Sequence, residues 1–277
     1  MMSTRSKAAS GRDHFPLLRL PAELRNRVYE FALTADTSGS ELDLVLPKSR
    51  NGKPRVIIKG EKEDFNQLKY VLHQLYNECA GLEVKHNVIV VRGDRRTILG
   101  GPARRLNRFL ETCSQAKALW FTHIGLSNCN YNRVDWVIED SEDILPVADL
   151  RRTNPNLTVD YHAGILVSTD HTEGPEQRFL RSGTYMLSAL RHENPDFLHQ
   201  PYFNGFMNLN SGHTWTDEQG VARLEVPNLR FWPSTPRQFD ETFGQLVEYI
   251  QPQDPNSDQY RQQVTRLALE WDEWGVW

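Results

Sequence analysis

"NVIVVRGDRRTILGGPARRLNRFLETCSQAKALWFTHIGL", residues 87–126, reads as a strand, a helix and a second strand. Asn87 to Val91 is a short β-branched run closed by Gly93, the pattern of a buried strand. Pro102 suits the first position of a helix, where its missing N–H costs nothing. Leu106, Phe109, Leu110 and Cys113 follow at steps of three and four, which predicts a helix over about 102–115. Ala118 to Leu126 then reads as strand again. That alternation of strand and helix suggests an α/β layer with some parallel pairing.

The same alternation extends to both sides. Phe65, Leu68, Leu72, Leu75, Cys79 and Leu82 predict one long helix over about 63–80, ended by Gly81. A short strand is expected at 134–138. A helix follows at about 141–152, which Pro146 would confine to its second half. Leu157 to Tyr161 is the next strand. Residues 63–161 therefore form an α/β layer. Upstream, Leu42–Leu46 and Arg55–Lys59 flank a loop with Pro47, Asn51, Gly52 and Pro54, the signature of a hairpin. A helix at about 21–33 opens the chain after a polar leader, residues 1–14, expected to be disordered. Downstream come a helix at 175–193, a loop-rich stretch at 194–235, and helices at 236–250 and 257–273. In the last, Tyr260, Val264, Leu267, Trp271 and Trp274 step by four and three. The fold class is α+β: N-terminal helices with an inserted hairpin, an α/β body, and C-terminal helices.

Composition narrows the function classes. The 277 residues are 39% apolar and 25% charged, enough apolar side chain for a sizeable core. The net charge of −4 hides an asymmetry: +8 over residues 1–110 and −12 over residues 111–277. Two differently solvated surfaces account for it, and a basic half could also face an acidic partner. The Arg pairs at 95–96, 104–105 and 151–152 are scattered, without a basic helix or an aromatic RNA signature, which argues against nucleic acid. Cys79, Cys113 and Cys129 are odd in number and lack metal-ligand spacing. With no secretory leader, they read as reduced thiols of an intracellular protein, cytoplasmic or nuclear. No apolar run reaches the roughly 18 residues of a membrane span.

The chain carries no nucleophile elbow, P-loop, dinucleotide turn, His-Glu-x-x-His or paired CxxC. No cofactor or metal is implied. His162 and His171, flanked by Asp160, Asp170 and Glu173, would make a metal site only if two imidazoles and a carboxylate converged. Cys113 with His123 is a thiol–base pair only if both leave the apolar face that the Cys113 spacing assigns it. An enzyme would have to draw on the loops at 160–176 or 197–232 and on His162, His171, His199 or His213. Trp271 and Trp274 read as core; Trp277 sits at the chain end.

Residues 15–33, "FPLLRLPAELRNRVYEFAL", remain. Leu24, Val28 and Phe31 or Ala32 recur on one face of the predicted helix, and Glu23 and Arg27 are four apart in the favourable order. This segment resembles the N-terminal motif of fungal F-box-like proteins: Leu20-Pro21-x-Glu23-Leu24-Arg25, then Val28-Tyr29-Glu30. "LKYVLHQLYNECAGLEVKHNVIVV" at 68–91 is similar to that family's continuation. Gln74, Asn77 and Glu78 match, whereas Leu72, His73, Tyr76 and Glu83-Val84 depart from the pattern. The resemblance implies an F-box-like segment at 15–92 and an α/β body with a helical C-terminus at 93–277. It also implies a non-catalytic interaction module, not an enzyme. Leu20, Pro21, Leu24, Val28 and Phe31 would bind the adaptor subunit of a cullin–RING ubiquitin ligase, and the rest of the chain would recruit an unidentified protein target. The alternative is a stand-alone binding or structural protein in which the same helix is only core. The discriminating feature is whether the 68–82 segment covers Leu24 and Val28.

Overall fold

A computed structural model describes residues 16–35, 41–47, 54–93, 100–128, 141–163, 183, 184, 186, 222–233 and 257–273. Its frame is one six-stranded sheet. The strands are β1 (Leu42–Val45), β2 (Arg55–Ile58), β3 (Val88–Arg92), β4 (His123–Ser127), β5 (Thr158–His162) and β6 (Leu229–Trp232). They lie in the order β2-β1-β3-β4-β5-β6. The β1–β2 hairpin is antiparallel, as its loop signals require, and every other neighbouring pair is parallel.

Helices occupy the crossovers. α1 (Ala22–Leu33) precedes the sheet, and α2 (His73–Cys79) and α3 (Glu83–His86) lie between β2 and β3. α4 (Pro102–Leu110) and α5 (Gln115–Ala118) join β3 to β4, and α6 (Ser141–Thr153) precedes β5. α7 (Ser257–Glu273) is the last described element. From β1 through β3 to β6 each new parallel strand adds on the same side of the last. Crossovers of one hand then place their helices on one face of the sheet. α4 accordingly packs on β3 and β4 and against α6.

Strand alternation divides the sheet sharply. Leu42, Ile89, Ile124, Val159 and Leu229 are register partners in one row across five strands, and all are buried. Val91, Leu126, Tyr161 and Phe231 form the next row on the same face. The Tyr161 and Phe231 rings meet at 5.6 Å between centroids. Leu106, Ile144, Val147 and Ala148 of the helices close over these rows in one continuous core. Val264, Ala268 and Trp271 of α7 belong to the same core. A Cβ at Gly183 would run into the Trp271 ring, so that close approach requires glycine. The other face carries Asp43, Val90, Gly125, Asp160 and Arg230 in one row and Arg92, Ser127, His162 and Trp232 in another.

Several expectations change. The long helix over 63–80 is broken. Asp64 bridges to Ile57 and the Phe65 amide donates to Val56, so the chain there still follows the sheet edge. The buried Asn66 side chain then donates to the Cys79 carbonyl and to Glu83, a 3-10 turn covers Leu68–Tyr70, and Leu72 is fully extended. Gly81, with φ of +93°, separates α2 from α3. The helix from Pro102 stops at Leu110, leaving Cys113 half-buried beyond its end. Ala118, expected to open the next strand, instead ends a short helix from Gln115, and the strand starts at His123. Pro146 sits inside α6 without shortening it. The stretch read as loop at 194–235 contains β6. The leader 1–14, the 134–138 strand, the 236–250 helix, and all of the 175–193 helix but residues 183, 184 and 186 lie outside the described residues. β1, β2 and β3 from the 15–92 segment share their sheet with β4 to β6 from 93–277.

Candidate functional site

α1 is built from Pro21, whose φ of −51° is preset for helix entry. The Leu24 and Arg25 amides both donate to the Pro21 carbonyl. The helix ends at Thr34, where the backbone turns extended and the hydroxyl donates to the Glu30 carbonyl. It does not pack on the domain with the stripe that the periodicity singles out. Its buried residues are Tyr29 and Leu33, which join Leu75 and Cys79 in a small core of their own. Leu17, Leu18, Phe65, Leu68, Leu72 and Leu82 line that core, and only Phe65 also touches the main one.

Leu24, Val28 and Phe31 point away from it. They are 46%, 39% and 88% exposed. At 3.6 residues per turn they lie within a sector of about 60°, centred about 130° from the Arg25–Tyr29–Leu33 side. Pro21 is exposed and Leu20 half-buried at the entry to the same stripe. Single exposed apolar residues are ordinary on a protein surface. A helical stripe at i, i+4 and i+7 with Phe31 nearly bare is the form a helix takes when it lies in another protein's groove. Pro21, Leu24, Val28 and Phe31 thus lie exposed on one side of α1, with Leu20 half-buried beside them, and the 68–82 segment packs on another side.

What holds that opposite side is polar. Glu78 accepts from Arg25 Nε at 2.9 Å and Nη2 at 3.1 Å, from the Tyr29 hydroxyl at 2.7 Å, and from Gln74 Nε2 at 3.0 Å. The Tyr29 and Gln74 bonds, with Arg25 beside them, hold the Glu78 carboxyl below its ordinary range. Burial, reinforced by the Glu78 charge, pushes the Tyr29 hydroxyl up to about 12. Asn87 ties the end of α1 to the start of β3 by donating to the Leu33 carbonyl and accepting from the Ala35 amide. The expected Glu23–Arg27 pair is not formed; Arg25 makes the ion pair of this helix.

The polar face of the sheet is the second concentration of functional side chains. Asp160 takes Arg230 bidentately at 2.7 and 2.9 Å, His123 Nε2 at 2.6 Å and Trp232 Nε1 at 2.9 Å. Burial alone would raise its pKa, but these donors overcome it and hold the carboxylate well below its ordinary range. His162 stacks on Trp232 at 6.4 Å between centroids, and burial lowers its pKa. His123 is therefore engaged by Asp160, and the Cys113 thiol is pushed up by burial, the reverse of an activated nucleophile. His123 stands at the N-terminal end of β4, whereas open parallel sheets gather ligands at the C-terminal ends of their strands. His171, His199 and His213 lie outside the described residues. Among the described residues no group of three His, Cys, Asp or Glu could hold a metal ion, and no helix is long and apolar enough to cross a membrane. A groove of ≈ 860 Å³ between α4 and α6 has Arg104 and Arg108 on one wall and Glu142, Asp143 and Asp149 on the other.

No family model, curated protein or solved structure matches the chain.

Proposed function

We propose that this chain is a non-catalytic protein-interaction module: an F-box-like receptor that docks through α1 onto the adaptor subunit of a cullin–RING ubiquitin ligase and recruits a protein target with its α/β body. One observation supports this reading above the others. α1 has two apolar faces, and the one matching the family's contact, Leu24, Val28 and Phe31, is the face left open. A helix serving only as core would leave no second apolar stripe exposed. That arrangement favours docking over the stand-alone reading. The engaged His123 and the half-buried Cys113 with its raised thiol pKa favour neither nucleophilic nor metal chemistry.

The test is capture of purified adaptor by the purified chain. The wild type is expected to bind, and Leu24→Asp with Val28→Asp is expected to weaken binding about a hundredfold, since charges in the centre of an apolar contact are left desolvated. A wild-type chain that captures no adaptor, or a double variant that binds equally well, sinks the proposal.

A further inference from the structure

The two stretches that carry the family resemblance meet at one carboxylate. Arg25 and Tyr29 come from the first, Gln74 and Glu78 from the second, and the long-range contacts span 53 and 49 residues of chain. Glu78 is the common acceptor for all three partners. Arg25 is further fixed, because its Nη1 donates to the Leu20 carbonyl at 2.7 Å just ahead of Pro21. One side chain on α2 thereby sets both the entry of α1 and a full turn of its inner face.

Apolar contact on that side is thin. Tyr29 and Leu33 supply the buried apolar side chains of α1, and they meet a core separate from the main one. Hydrophobic burial has no preferred direction. A helix with a second apolar stripe of similar length could roll to bury Leu24, Val28 and Phe31 instead. Directional bonds to Glu78 oppose that roll, because a bidentate guanidinium and a phenol one turn apart reach one carboxylate in one orientation only.

We infer that Glu78 is the positioning residue of the docking face: it clasps Arg25 and Tyr29 so that α1 presents Leu24, Val28 and Phe31 outward. The inference rests on the proposed function for its consequence in binding, and on geometry alone for the clasp. It makes Gln74, Tyr29 and Arg25 supporting members, none of which lies in the exposed stripe.

The experiment compares wild type, Glu78→Ala, the milder Glu78→Gln, and Arg25→Ala with Tyr29→Phe. Backbone amide exchange is read over residues 22–33 and over β3 and β4, and adaptor affinity is measured in parallel. The clasp predicts exchange in α1 about tenfold faster in each variant with β3 and β4 unchanged. It also predicts about tenfold weaker adaptor binding, because only the remaining outward-facing fraction is competent. Unchanged exchange in α1 overturns the inference. So does weaker binding without faster exchange, which would make Glu78 a partner contact, and so does faster exchange with unchanged affinity. A wild type that captures no adaptor ends the proposed function, while faster exchange confined to α1 still upholds the clasp.

Discussion

Asp160 is the central residue of β5, next to the last described strand, and accepts four hydrogen bonds from three side chains on its own strand's two neighbours, β4 and β6. It is a charge on a nearly buried strand, and it persists because every donor around it is aimed at it. Its folded pKa lies below the unfolded value near 4, so it adds stability that is complete above about pH 4 and lost as pH falls below that. Asp160→Asn is expected to cost roughly 2 kcal/mol at pH 7, less than a fully buried pair because Arg230 and His123 are each about one-third exposed. It should also flatten the acid limb of a stability–pH curve measured by urea denaturation. Tyr29 has the opposite sign. Its folded pKa of about 12 exceeds the ordinary value of 10, so its contribution is present below pH 10 and lost as pH rises toward 12. The stability gap between wild type and Tyr29→Phe should therefore narrow between pH 10 and pH 12.

At the scale of elements, the two faces of α1 should contribute differently to stability. Leu24→Asp with Val28→Asp should cost about 1 kcal/mol or less, because both residues lie on the exposed side of α1, Leu24 at 46% and Val28 at 39%. Leu33→Ala on the other face should cost about 2–4 kcal/mol, because it opens a cavity beside Tyr29, Leu75 and Cys79. Thermal melts of the two variants distinguish the faces directly, and equal losses would contradict the exposure of the stripe. Gly81 makes a second element-level case. Its left-handed φ lets α2 end and α3 begin within three residues, so Gly81→Ala should destabilise by about 1 kcal/mol with no change in the exposure of Leu24, Val28 and Phe31.

At the scale of the molecule, the sheet grows in one direction and β6 is its last described strand. β6 arrives after a long stretch of chain and is seated by two devices. Leu229 and Phe231 enter the apolar rows, and Arg230 and Trp232 reach Asp160 on the other face. Arg230→Ala should therefore speed amide exchange in residues 229–232 before it affects β3 or β4. Uniform loosening of the whole sheet would argue against that local role.

Much of this was legible in the chain. The strands at 88–92 and 158–162, the hairpin, α1, α6 and α7 follow from periodicity, turn residues and Pro or Gly punctuation, which are local signals. The stripe Leu24, Val28 and Phe31 was legible for the same reason. The break in the 63–80 helix was not, because it comes from Phe65 and Asn66 finding partners on β2, at Cys79 and at Glu83. β6 was masked by the Asn, Gly and Pro around it, and its register comes from Asp160 some 70 residues away. Local sequence determined most of the helix and strand segments and that α1 bears an apolar stripe. Only the tertiary structure decided which side of α1 faces the domain, because Tyr29 and Leu33 find Leu75 and Cys79, and Arg25 and Tyr29 find Glu78, across some 50 residues that no local pattern connects.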